Sequence, residues 1–292
     1  MIKMRERILN TVYEDAVYKK VENRAMELDL YVPLKDIDKK NPVVVFFHGG
    51  YWKYGSRKDI PDKKYYDAVL KINEKGIIVV SADYRLLDEN TGITEQVNDC
   101  VDCVKWLIDN ADRFNIDTKN ISLWGTSAGA HLAMLVAYSR NREIFTDSKM
   151  NFKSVISYYG PTDLNEMFFE GNKIRKFEGL AEEDMNGFFR EFLGKNFDTC
   201  YRMLSESFKS KSPVEYFPEN PIPTLLVHGK RDDVVPLLQS EKLFHIAEKN
   251  DNDIELFSSE FYGHGFSDIS EDEMSSVVEK TVEFLGKVFN LN

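Results

Sequence analysis

Residues 125–129 read Gly-Thr-Ser-Ala-Gly, a hydroxyl set between two glycines, each two positions away. An apolar run precedes them at 121–124, and a run with helical spacing follows at 128–139. A serine on a sharp strand-to-helix turn is lifted clear of the sheet edge, and only residues without bulk fit two positions to either side. The same turn aims the backbone N–H of Ala128 at the point the hydroxyl reaches, and the new helix adds its positive dipole end. Gly-x-Ser-x-Gly alone is a weak signal; the strand before it and the helix after it make it specific.

Such a hydroxyl becomes a nucleophile when a base takes its proton, and the base needs an acid to fix its tautomer. Of the five histidines, His264 lies in EFYGHGFSD, between two glycines and beyond the last strand-like run, where a loop can reach the serine. The plainer alternative is a polar loop histidine without a role. The acid should follow a strand lying between serine and histidine in the chain. HGKRDDVVP (228–236) directly follows the apolar run 224–227, which favours Asp232, with Asp233 as second choice. Asp163 in YYGPTDL is a third candidate, better suited to capping its loop.

Acyl transfer places negative charge on the former carbonyl oxygen, and fixed N–H donors there lower the barrier. In FFHGGYWKYGS (46–56), Gly49 and Gly50 let the backbone approach that oxygen, so they join Ala128 as the expected oxyanion donors, with the Tyr51 N–H a substitute for one of them. Tyr51, Trp52 and Tyr54 either line the pocket beside these donors or pack to hold the loop. His48, His131 and His228 read as structural by position, and His245 as a helix-surface residue.

These residues need a scaffold. Short β-branched runs at 43–47, 77–82, 121–124, 155–159, 224–227 and 254–257 read as buried strands. Helical spacing occupies 65–75, 96–111, 128–139 and 238–249. This alternation predicts an α/β fold with a mostly parallel sheet and helices on both faces. AMELDLYV (25–32) alternates like a half-exposed strand, expected to pair antiparallel with 12–17 as the N-terminal edge. Residues 161–217 are longer than an ordinary crossover and rich in Phe and Met. They read either as a helical insertion covering the sheet edge as a lid, or as the core face of crossover helices. The chain as a whole, 1–292, reads as one domain with that insertion.

A formal net charge of −11 and a pI near 5.1 argue against a nucleic-acid groove or docking on anionic lipid. No run approaches the roughly 20 apolar residues of a membrane span. The N-terminus shows no h-region of a secretory leader. Three cysteines fit a reducing compartment, so the expected location is cytoplasmic. Cys100 and Cys103 form a CxxC inside a helix-periodic stretch, read as structural, since no second ligand pair accompanies them.

Taken together, LDLYVP (28–33), HGGYW (48–52), ADYRL (82–86), GTSAGAHLA (125–133), HGKRDDVVP (228–236) and GHGF (263–266) resemble the α/β-hydrolase carboxylesterases, the group with hormone-sensitive-lipase-like and feruloyl-esterase-like enzymes. The order Ser…Asp…His is the one that fold uses. The resemblance implies triad roles for Ser127, Asp232 and His264, hydrolysis of a small-molecule ester through an acyl-enzyme, and no metal or cofactor. HGGYW with SAGAHLA is also similar to the arylformamidases, which hydrolyse N-formylkynurenine; the VVP after the acid looks more like the general esterases. HGGY stands where many relatives have HGGG, so the third glycine donor is not carried over. The expectation is a carboxylesterase for short acyl chains, with arylformamidase as the alternative. A hydrolase fold kept only for binding, or a peptidase, would be the other classes. The oligomeric state, monomer or homodimer, is open.

Overall fold

Strand residues with side chains on alternate sides, both apolar, demand cover on both faces, and the sequence supplies such strands through most of the chain. The computed structural model describes residues 3–6, 10–34, 39–60, 63–139, 150–171, 173–175, 182–194, 200–219 and 221–291. Its strands are β1 (Lys3–Glu6), β2 (Asn10–Val21), β3 (Arg24–Pro33), β4 (Asn41–Phe47), β5 (Ile78–Ala82), β6 (Ile116–Thr126), β7 (Ser154–Tyr158), β8 (Phe169–Glu170), β9 (Lys173–Ile174), β10 (Thr224–Gly229) and β11 (Ile254–Ser259). Among the described residues nine of these form one sheet in the order β1-β2-β3-β5-β4-β6-β7-β10-β11, and β8 and β9 pair as a small separate ribbon. The pairings β1–β2, β2–β3 and β3–β5 are antiparallel. All pairings from β5 through β4, β6, β7 and β10 to β11 are parallel.

The helices are α1 (Lys63–Glu74), α2 (Ile93–Asp109), α3 (Ala128–Tyr138), α4 (Leu164–Phe168), α5 (Glu182–Leu193), α6 (Tyr201–Lys209), α7 (Leu238–Lys249) and α8 (Glu271–Phe289). Alternation along β4 shows how they divide. Val43, Val45 and Phe47 share a core with α2, α3 and α7, whereas Val44 and Phe46 share the opposite core with α1 and α8. The expected α/β layering with helices on both faces is therefore present.

The expected antiparallel pairing of 25–32 with 12–17 is present, but three details differ. β3 is not half-exposed: it lies between β2 and β5, with Asp29 and Tyr31 buried on one face as fully as Leu28 and Leu30 on the other. Its second face is covered by α1 and by the Arg57 side chain, which pairs with Asp29. The edge extends one strand further, to β1. The C-terminal helix α8 was not among the expected helices, although Ser270 and Glu273 form a capping box and Val277, Thr281, Phe284 and Leu285 repeat at helical spacing.

Between β7 and β10, the described residues of 161–217 form α4, α5 and α6 with the β8–β9 ribbon. Their two ends are tied together: Val214 N–H donates to the Thr162 carbonyl at 3.1 Å and Leu164 N–H to Ser212 Oγ at 2.9 Å. Phe168, Phe169, Phe189, Phe192 and Phe208 are buried against one another, edge-to-face or tilted, in the same core as α2 and α3. Phe177 and Phe197 of the Phe-rich expectation lie outside the described residues. No described helix is long and apolar enough to cross a membrane.

Candidate active site

β6 ends at Thr126, and the chain reverses into α3 through one residue. Ser127 there has φ 50° and ψ −118°, a sparsely populated region for a side chain with a Cβ. The turn closes so tightly that a Cβ on Gly125 would stand 2.4 Å from the Ala130 nitrogen, and one on Gly129 only 2.1 Å from the Phe47 carbonyl oxygen. Both contacts are with backbone, so neither can yield. That is why the two glycines flank the serine. Ser127 N–H donates to the Tyr158 carbonyl at 2.8 Å, fixing the turn to the next strand. The first N–H groups of α3, beginning with Ala128, have no acceptor within the helix, as at any helix start.

The other two residues arrive from the ends of β10 and β11, neighbours in the sheet. Ser127 Oγ lies 3.0 Å from His264 Nε2, and His264 Nδ1 lies 2.8 Å from Asp232 Oδ2. Asp232 is held from four directions. Its Oδ1 accepts from the N–H groups of Val234 at 3.0 Å and Val235 at 2.8 Å. Its Oδ2 also faces His228 Nε2 at 3.3 Å. Burial works against this carboxylate, but hydrogen bonds from His228 and His264 outweigh it and hold the acid down at about 2. The loop residues Val234 and Val235 thus anchor the acid through their backbone. With the carboxylate on Nδ1–H, Nε2 of His264 is left as the acceptor facing the serine hydroxyl.

Asp233 is exposed and Asp163 caps α4 by accepting from Glu166 N–H at 3.1 Å, so neither joins the cluster. His228 was expected to be only structural; it bonds Ser240 and the Val235 carbonyl and also reaches the acid. Tyr159 was not singled out from the sequence. It packs edge-on against His264 at 5.0 Å, and its hydroxyl lies 2.5 Å from that of Tyr65. No local sequence signal marks it, because its partners come from α1 and from the loop after β11.

The loop after β4 passes beside the serine: a Cβ on Gly49 would lie 3.4 Å from Ser127 Cβ. Gly50, Tyr51 and Trp52 follow with φ of 112°, 53° and 60°, three consecutive left-handed residues. Tyr51 is 46 % exposed, its ring 6.5 Å from that of His264. Of the two roles open to Trp52, lining the pocket or packing, the structure gives packing: it belongs to the core. It is 2 % exposed, its indole packs on Phe192 at 4.9 Å, and its N–H points at His131. A large apolar ring gains more from that packing than from standing in an open cleft. His48 stacks on Tyr84 at 4.2 Å and bonds the Gly49 carbonyl, bracing the loop. Cys100 and Cys103 are buried on α2, and burial raises both thiols.

Comparison with known proteins adds four findings. A family model described as BD-FAE matches residues 28–246. The esterase LipC of Mycobacterium tuberculosis is 27 % identical over 237 residues, 78 % of this chain, and the chain spans 54 % of LipC's length. Among solved structures, a truncated carbohydrate esterase from gut microbiota superposes with a TM-score of 0.76 at 19 % identity, covering 96 % of this chain and 98 % of that one. Esterase 2 of Thermogutta terrifontis, solved phosphonylated by sarin, gives 0.74 at 22 % identity, with 95 % of each chain covered. At those identities the likeness is one of fold.

Proposed function

The chain belongs to the BD-FAE family, and from that premise we propose that it is a serine hydrolase of carboxylic esters, with Ser127, His264 and Asp232 as its catalytic triad. One observation carries the reading: a strained elbow serine 3.0 Å from an imidazole whose other nitrogen is 2.8 Å from a buried carboxylate.

His264 Nε2 takes the Ser127 proton as Oγ attacks the acyl carbonyl. The ionised Asp232 fixes the tautomer and stabilises the imidazolium. The oxyanion is held by the N–H groups of Gly49, Gly50 and Ala128. His264 then gives its proton to the leaving alcohol. A water, deprotonated by the same nitrogen, attacks the acyl-enzyme and releases the acid and the free serine. One water is consumed per ester cleaved, and no other group is required. Tyr51, half-exposed with its ring 6.5 Å from that of His264, is the residue read as bordering the substrate. Phe188, half-buried against the core rings of Trp52 and Phe192, is the residue read as limiting acyl length, which suits short acyl chains. The described elements of 161–217, α4, α5 and α6, are read as a cap beside the site. The odd, low cysteine count suits a cytoplasmic setting.

The test is kcat/KM for p-nitrophenyl acetate and for N-formylkynurenine on one preparation, with Ser127→Ala as the blank. The reading expects the ester to be the better substrate by orders of magnitude and the blank to be inactive but folded. A better formamide would move the chain to the arylformamidases, and an active blank would remove the triad.

A further inference from the structure

His131 sits one turn after Ser127 on α3, fully buried, and the triad does not use it. Its two nitrogens face two different parts of the molecule. The Trp52 indole, which can only donate, gives its N–H to Nδ1 at 3.2 Å. The Lys211 carbonyl, which can only accept, lies 2.7 Å from Nε2. These partners leave one tautomer: proton on Nε2, lone pair on Nδ1. Burial favours the neutral ring this needs, pushing the imidazole down to about 4.

Trp52 belongs to the loop with the proposed oxyanion donors, two residues after Gly50. Lys211 lies where residues 161–217 turn back toward the sheet, next to Ser212, which ties to Leu164. We propose that His131 is a positioning residue that couples the oxyanion loop to the exit of the 161–217 region through a neutral imidazole bonded on both sides. This rests on the triad reading for its effect on catalysis, but the coupling itself does not.

The loop needs such an anchor. Three successive left-handed residues, two of them not glycine, persist only when neighbours over-determine them. The neighbours are present. The Trp52 carbonyl accepts from Leu87 N–H at 2.9 Å and Gln96 Nε2 at 2.7 Å, and its ring packs on Phe192 of α5. Lys53 reaches Glu191 of the same helix at 2.6 Å. His131 completes this set, tying the indole to α3 and through it to the region's exit. A shift of that exit would be felt at Trp52, and from Trp52 at the two residues before it.

The experiment uses His131→Phe, which keeps ring bulk and removes both nitrogens, Trp52→Phe, which removes the donor together with one ring of the buried indole, and His131→Asn, which keeps an acceptor near the Nδ1 position. Hydrogen exchange by mass spectrometry and steady-state kinetics with p-nitrophenyl acetate are both measured. The expected result for His131→Phe is faster exchange in both 49–55 and 210–213. Its kcat should fall roughly ten- to a hundredfold, as displaced catalytic donors do, with KM within about twofold of the parent. Trp52→Phe should loosen the same loop, and combining it with His131→Phe should add little. His131→Asn should recover most of kcat while 210–213 stays fast. Unchanged exchange at 49–55 in both Phe variants would overturn the coupling, as would a loss confined to KM. If the parent itself fails to cleave the ester, the triad reading fails, and the exchange pattern still decides the coupling.

Discussion

Asp232 is the residue on which the site's chemistry and its stability meet. Removing its charge while keeping its shape, as in Asp232→Asn, offers His264 Nδ1 a group that can donate and so favours the wrong tautomer. The expected loss in kcat/KM is about 10^4-fold with folding intact, measured with p-nitrophenyl acetate and circular dichroism. The carboxylate's acidity of about 2 lies below its unfolded value of 3.8. Its contribution is therefore present above pH 3.8 and disappears as pH falls through 2, roughly 2 kcal/mol in all. His131 acts in a higher window. Burial holds it near 4, below the unfolded 6.5, so the unfolded chain binds a proton first and stability declines as pH falls from 6.5 to 4. The full effect is about 3 kcal/mol, and His48, also lowered by burial, adds in the same direction. Urea midpoints should thus be level near neutrality and drop between pH 6.5 and 4, and His131→Phe should flatten that drop. An equal slope in the variant would contradict the assignment. That Ser127, Asp232 and His264 come together was legible in the sequence because each stands just after a locally recognisable strand. The partnerships of His131 with Trp52 and of Tyr159 with His264 were not, because they join segments far apart in the chain and leave no local pattern.

At the scale of elements, the loop after β4 depends on charged ties as well as on Trp52. Arg57, following that loop, is paired with Asp15 at 2.7 Å, Glu27 at 2.7 Å, Asp29 at 3.2 Å and Asp83 at 2.5 Å, joining β2, β3 and the segment after β5. Taking away the Arg57 cation leaves only Lys58, 2.6 Å from Asp29 and 3.5 Å from Asp15, among four carboxylates, of which Asp29 and Asp83 are largely screened from water. Arg57→Met should lower the unfolding free energy by about 3 kcal/mol or more, read from urea denaturation. Little change would mean that water compensates the cluster. The parallel strands were legible because continuous β-branched runs of the right length leave few alternatives. The 161–217 region was not, since its Phe and Met residues serve equally for a lid and for a core, and spacing cannot separate the two. In the structure they pack beside Trp52, which gives a second expectation. Rates on p-nitrophenyl esters should decline steadily from acetate to decanoate, and replacing Phe188 with Ala should shift the optimum to longer chains. A flat series would remove the short-acyl proposal.

For the whole molecule, the net charge of −11 sets a field that every substrate meets. An anionic ester should be disfavoured at low ionic strength and gain in kcat/KM as salt is added, whereas a neutral ester should barely respond. Equal salt responses would mean that the charge is spread away from the site. The chain also spans about half the length of LipC, so the comparison bears on this fold rather than on that protein as a whole. The central claim is smaller in scale: one serine among many is activated. Treating the protein with a fluorophosphonate and reading intact mass, followed by peptide mapping, tests that directly. A single adduct on Ser127, lost in Ser127→Ala and strongly slowed in Asp232→Asn, is the predicted result. No adduct, or one on another residue, would contradict the account.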